Sequence, residues 1–543
     1  MKKLMFVLMV AVALALALAA MAQASPGWTT DVNLTNDGVN GNQASAVSPV
    51  DDSVHVVFTQ MGVDIYYVKL AADGTTLIPK TQISDYSNSV NAQVPHIAIC
   101  PDALASAGYK IHVVWHGTGP TSQSGNIMYT SSTDGGATWS SSVAVVNWAG
   151  LWHPRIAVDP VDPDYVYVVS HDSAVDIDFF RSSDGGVTWD TTVQTDRLAA
   201  DDKTIKGEQT DIAVGPDRTI HVIFHSYSTG PPSNPYQDVK EGDIYYRYST
   251  NFGATWSDTK AQLIYTDTVD DGWWNNLASI EVNSVGTIQI AARDDKVYYI
   301  EKTTTGGWTT SQIDTSSGGW KPETVLDSND NLHLVYGKSL DVYYKMYDGT
   351  TWSNEQLTLA ADSEGNPHIG VDSAGNKHVT YLNYTESDIH YLRFVPPPPP
   401  KEAKQGVIDD LSALLNGDKK TDHRIEKAID HLNKSLGDDL WASDSHLTKK
   451  GKKVFEEEKK AVHELMKIDD PDISAAIDSL VGVDEALAQT AIEEAIATDG
   501  DAKEIDKAEK EMAKAEDEYD KGNLDKAIEH YKKAWHHAQK AMK

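Results

Sequence analysis

Short runs of β-branched and aromatic residues, separated by Gly, Asp, Asn and Ser, fill the first two thirds of the chain and return in a fixed order. A first run reads Pro95-His96-Ile97-Ala98-Ile99, Pro154-Arg155-Ile156-Ala157-Val158, Thr210-Asp211-Ile212-Ala213-Val214 and Pro367-His368-Ile369-Gly370-Val371, with weaker copies from Ser45, Ser279 and Glu323. A second alternates apolar and polar positions, as in His55-Val56-Val57-Phe58, His112-Val113-Val114-Trp115 and His221-Val222-Ile223-Phe224. A third reads Asp64-Ile65-Tyr66-Tyr67, Asp243-Ile244-Tyr245-Tyr246 or Asp388-Ile389-His390-Tyr391. Each has the length and composition of a strand bounded by turns. The set occurs seven times, with a period of roughly 45–70 residues, near the spacing of propeller blades. A fourth run follows in the earlier copies, but in the last the chain meets prolines instead, and Gly27-Trp28-Thr29-Thr30-Asp31-Val32-Asn33-Leu34 carries the missing pattern. The expectation is an all-β, seven-bladed β-propeller over residues 25–395, closed by its N-terminal strand so that no sheet edge stays open.

Pro396–Pro400 reads as a stiff, extended linker over residues 396–400. Beyond it, apolar residues fall at helical spacing (Val407, Leu411, Leu414; Ile425, Ile429, Leu432, Leu436; Phe455, Val462, Leu465), so residues 401–543 are expected to form a separate α-helical accessory domain. Its last stretch, with Ala515, Tyr519, Gly522, Leu524, Ala527, Tyr531 and Ala534, resembles the core of one tetratricopeptide hairpin.

Residues 1–24 run from Met-Lys-Lys through an apolar segment to Ala22-Gln23-Ala24, the pattern of a secretory signal peptide. The expected protein is therefore secreted, extracellular or periplasmic, with no transmembrane segment after the signal. A formal charge of -34 argues against nucleic acid and anionic membrane surfaces as partners. Cys100 is the sole cysteine, so no intrachain disulfide can form. No cofactor is expected.

Two stretches, Ser132-Thr133-Asp134-Gly135-Gly136-Ala137-Thr138-Trp139 and Ser182-Ser183-Asp184-Gly185-Gly186-Val187-Thr188-Trp189, share one pattern, and Ser249-Thr250-Asn251-Phe252-Gly253-Ala254-Thr255-Trp256 nearly repeats it. Asp can accept backbone N–H bonds, Gly can take positive φ, and Trp can pin the turn to the sheet. These stretches resemble the Asp-box, or bacterial neuraminidase repeat, of the sialidase-like β-propellers. The resemblance implies that Asp134, Asp184 and Asn251 are structural, on third-to-fourth-strand turns facing away from the site that catalytic members use.

On the opposite, working face the repeat aligns one residue per blade at the channel mouth: Ser45, His96, Arg155, Asp211, Ser279, Glu323 and His368. Blade-to-blade loops supply Trp148, Trp152, Trp273, Trp274 and Trp320. Together with His96 and His368 they form a candidate sugar site, since sugar faces stack on rings while hydroxyls take directional bonds. His116, His171 and His225 fall at equivalent second-strand ends and would suit a metal or anion site if they converge, or else are polar strand ends. The repeated His55, His112, His221, His333 and His378 point to a repeated structural bond.

A sialidase clamps its substrate carboxylate with three arginines. Of the seven propeller arginines, only Arg155, Arg197 and Arg293 can reach the working face. The family's Arg-Ile-Pro motif is absent from the first blade, where Gln43-Ala44-Ser45-Ala46 stands, and sialidases have six blades, so the reading is against true sialidase activity. Another glycosidase would need two facing carboxylates, for which Asp211, Glu208, Glu323, Asp294 and Asp295 are available on this face, Asp211 and Glu323 being the leading candidates. The function expected is that of a secreted, non-catalytic recognition protein binding a glycan or extracellular protein by the loop face. Its helical domain would meet a second protein or the envelope. The alternative is an extracellular glycoside hydrolase.

Overall fold

A computed structural model of the chain describes residues 28–542, apart from positions 30, 61–62, 85–92, 118–124, 147–149, 173–176, 191–206, 227–242, 258–260, 267–277, 294–295, 315–318, 354, 358–363, 395–397 and 499. The signal-peptide pattern, Trp148, Trp273, Trp274, Arg197, Asp294 and Asp295 lie outside the described residues. The chain divides into two compact units, at Pro396 and Pro397.

The first unit is a seven-bladed β-propeller. Blade 1 shows the plan, with antiparallel strands Asn40–Val47, Val54–Gln60, Asp64–Leu70 and Thr76–Gln82 hydrogen-bonded in chain order from the channel outward. The innermost strands of blades 2 to 7 are Gln93–Pro101, Leu151–Val158, Gly207–Val214, Ala278–Val282, Gly319–Leu326 and Glu364–Val371. Blade 3 has three described strands, with Asp190 bridged to Arg181 beyond them. In blade 7 the outer strand is Val32–Asn33, paired with His390 and Tyr391, and Trp28 bridges Phe394.

Both faces of a blade are apolar because alternate residues of each strand point to opposite sides and both sides meet another blade. The propeller core is accordingly a ring of seven separate clusters, one per joint. The repeated histidines bond within their blades. Nδ1 of His55, His112, His221, His333 and His378 lies 2.7–2.8 Å from the hydroxyl of Tyr67, Tyr129, Tyr246, Tyr344 and Tyr391, respectively. Burial lowers the imidazole pKa, to about 3 for His55 and His112 and about 4 for His221, so these rings are neutral and satisfied in the core.

The three eight-residue turns hold themselves by one pattern of bonds. Gly136 N–H donates to Ser132 Oγ at 2.9 Å and Thr138 N–H donates to Asp134 Oδ1 at 2.8 Å. Asp184 accepts from Thr188 N–H at 2.8 Å, and Asn251 from Thr255 N–H at 2.9 Å.

Among its described residues the second unit contains six α-helices: α1 (Pro400–Ala413), α2 (Lys419–Ser435), α3 (Lys452–Leu465), α4 (Pro471–Ala497), α5 (Ala502–Asp520) and α6 (Leu524–Ala541). Pro400, expected in the linker, opens α1, where a missing N–H costs nothing. Asp418, Asp470 and Asp501 cap α2, α4 and α5 through their carboxylates. One apolar core joins all six helices and encloses Lys404, which ion-pairs with Glu458 and, at 3.2 Å, with Asp484. Among the described residues no helix is long and apolar enough to cross a membrane.

Candidate functional site

Ser45, His96, Asp211, Ser279, Glu323 and His368 line one central cavity of about 360 Å³, which each reaches from its own blade's innermost strand. What aims them is a repeated backbone irregularity. The pairing between first and second strands slips just before this position in blades 1, 2, 3, 4, 6 and 7. Two residues ahead of the channel residue, Val94, His153, Gln209, Lys321 and Asn366 take φ of 45–49°. Such bulges insert an extra residue, bend the strand and redirect side chains, and each left-handed non-glycine residue costs on the order of 1–3 kcal/mol. Five blades carry that strain at the same rim of the channel.

Arg155 brings a cation to these carboxylates. Its Nε lies 3.9 Å from Asp211 Oδ1 and its Nη2 4.0 Å from Glu323 Oε2, while His368 Nδ1 lies 3.5 Å from Glu323 Oε1. Ile280 N–H donates to Asp211 Oδ2 at 3.0 Å, and Ile156 N–H to His96 Nδ1 at 3.3 Å. Burial raises the Asp211 carboxyl to about 7, opposed by Arg155 and reinforced by Glu323. Burial likewise lifts Glu281 to about 8, with Asp211 and Glu323 adding repulsion, and it raises Glu323 against the pull of Arg155 and Lys321. Lys321 falls to about 8 and His368 to about 3, each through burial first and the charge of Arg155 second. Asp211 and Glu323 keep 11% and 17% of their side-chain surface, so a ligand entering the cavity still reaches them. Near neutral pH the channel therefore offers acids that can both donate and accept protons.

At the rim, Trp152 is the second residue of the innermost strand of blade 3 and is 40% exposed. Its indole lies on the His116 imidazole, centroids 4.2 Å apart and planes 32° from parallel. His116 is buried, is lowered to about 4 by that burial, and neither of its nitrogens has a hydrogen bond among the described residues. His171 stands opposite Trp152 in the register, with His153 5.1 Å from it. Burial lowers these two to about 4 and about 3, so both imidazoles are uncharged. His225 sits in the second strand of blade 4. Among the described residues no three His, Cys, Asp or Glu side chains form a set able to hold a metal ion.

Trp320 has a different setting. It stacks on Tyr384 at 6.0 Å, in a slot kept open by Gly337 and Gly365, whose Cβ atoms would come within 2.6 and 2.3 Å of the indole. It thereby joins blades 6 and 7. Of the candidate arginines, Arg155 stands among the channel carboxylates and Arg293 ends the second strand of blade 5. Sequence reasoning missed Glu281 and Lys321. Glu281 follows Ser279 by two residues and so shares its face of the strand, a signal that was there to read.

No family model matches the chain, and no curated protein matches it. Solved structures with a similar backbone include a lectin from Burkholderia pseudomallei, 7% identical, covering 66% of this chain and 96% of that chain with a TM-score of 0.47. A polysaccharide lyase of family PL25, an ulvan lyase, is 13% identical over 66% of this chain and 95% of its own, with a TM-score of 0.43. A Trypanosoma rangeli sialidase is 12% identical over 72% of this chain and 64% of its own, with a TM-score of 0.38.

Proposed function

We propose that this protein is an exported, non-catalytic recognition protein of the Asp-box propeller type that binds a glycan on the face bearing Trp152. The observation that carries the reading is the half-open indole of Trp152, packed at a tilt against a buried, neutral imidazole beside the channel mouth. A rigid ring of that kind stacks on the apolar face of a sugar without losing side-chain freedom. Asp211 and Glu323, which line the cavity, and Arg155 beside them add charged hydrogen-bonding groups for the hydroxyls. The helical domain, ending in the tetratricopeptide-like hairpin of α5 and α6, would engage a second partner.

The raised carboxyls of Asp211 and Glu281 favour a second reading, an extracellular glycoside hydrolase in which one of them is the general acid. Incubating the protein with sialosides and plant or microbial glycans separates the two. Binding without release of reducing ends supports recognition; release that is lost in Asp211→Asn or Glu323→Gln supports hydrolysis.

A further inference from the structure

In the joints between blades 1 and 2, 2 and 3, and 3 and 4, the fifth residue of each eight-residue turn is a glycine lying flat on an aromatic ring of the preceding blade. A Cβ at Gly136 would sit 2.2 Å from the Tyr67 hydroxyl, at Gly186 2.1 Å from that of Tyr129, and at Gly253 2.2 Å from the Phe179 ring. Blade 5 lacks this turn; only Thr303-Thr304-Thr305-Gly306-Gly307 separates its third strand from Trp308. Trp308 still meets Tyr246 edge-on at 5.0 Å, as Trp139 meets Tyr67 at 5.0 Å. Yet a Cβ at Gly307 would have nothing within 4 Å, and no described glycine covers Tyr246. The room that the turn fills elsewhere is left as a cavity of about 600 Å³ between blades 4 and 5, on the face opposite Trp152.

We infer that this cavity is a second carbohydrate site, taking one neutral pyranose residue. Its volume lies in the range of roughly 300–1,000 Å³ usual for small ligands. Tyr246 and Tyr248 stack on one another at 5.9 Å and 27°, and Tyr248 is 37% exposed, which leaves it free to receive the apolar face of a ring. Thr250 and Thr304 offer hydroxyls, and Asp217 offers an acceptor. Lys302 offers a donor, its ammonium held 5.7 Å over Tyr246 and 5.5 Å over Trp308. One ammonium against one carboxylate leaves no surplus positive charge for a phosphate or a sulfate, on a chain of net charge -34. The walls are strands and tight turns, so little ordering opposes binding. Nothing in this argument depends on the Trp152 face.

The test is saturation-transfer NMR on the full chain with the methyl glycosides of glucose, galactose, mannose and xylose. In Trp152→Ala at least one glycoside should still receive saturation. Adding Tyr248→Ala, or Val285→Trp, which fills the cavity from a turn position 69% exposed, should cut that signal roughly fivefold or more with Tm unchanged. Val285→Trp keeps the test decisive if Tyr248→Ala disturbs the fold. The inference is overturned if no glycoside binds, if Trp152→Ala abolishes all transfer, or if Val285→Trp leaves it intact.

Discussion

Asp31 Oδ2 lies 2.6 Å from His390 Nδ1, a bond between residues 359 positions apart that ties the segment entering the outer strand to the last blade. Glu386 lies 3.0 Å from the other ring nitrogen. Burial lowers the His390 pKa, but the two carboxylates outweigh it and raise it above 6.5. A raised histidine contributes stability that is fully present below the unfolded value and is lost as pH rises through the folded one. Amide exchange in the segment around Val32–Asn33, corrected for intrinsic rates, should therefore be slower relative to the unfolded chain at pH 5.5 than at pH 8.5. Asp31→Asn should weaken this dependence; an unchanged profile would show that the bond does not hold the ring closed.

The blade count was legible because every blade must bury both faces, which writes the same alternating runs seven times. The channel residues were legible for a related reason, one polar side chain per blade at one offset. The bulges that aim them left no trace, since Val94, His153, Gln209, Lys321 and Asn366 share no chemistry and none is the glycine that positive φ usually recruits. The sequence offers Trp320 as part of a candidate sugar site. Its packed setting depends on Gly337 and Gly365, which come from two different blades and meet only in space.

A raised carboxyl has the opposite consequence for stability. Glu281 moves from 4.5 to about 8, so its burial costs nothing below the unfolded value and costs progressively more as pH rises towards 8. Glu281→Gln should leave the calorimetric Tm nearly unchanged at pH 4.5 and raise it by several degrees at pH 8.5. A gain of equal size at both values would assign the effect to packing instead of charge.

Gly136 has φ of 89° and its Cβ position overlaps Tyr67, whereas a Cβ at Gly307 would have nothing within 4 Å. Gly136→Ala should destabilise the chain by about 1–3 kcal/mol, through overpacking and an unfavourable φ, and Gly307→Ala by well under that. Equal losses in denaturant melts would contradict the packing described for the joints.

Within the helical unit, Lys404 is the cation shared by Glu458 and Asp484, all three fully buried. Lys404→Ala should cost about 3–5 kcal/mol by leaving uncompensated buried charge, while the triple change Lys404→Met, Glu458→Leu, Asp484→Leu should cost far less. Chemical denaturation of the full chain reads both, and a triple variant as unstable as the single would contradict an electrostatic origin.

The central claim is tested most directly by titrating the protein with the glycan that binds it best from the panel, in the parent chain and in Trp152→Ala. The account predicts an affinity loss of roughly tenfold or more with Tm unchanged, since an aromatic stack is worth about 0.5–1.5 kcal/mol beyond its buried area. Unaltered affinity in Trp152→Ala would contradict it.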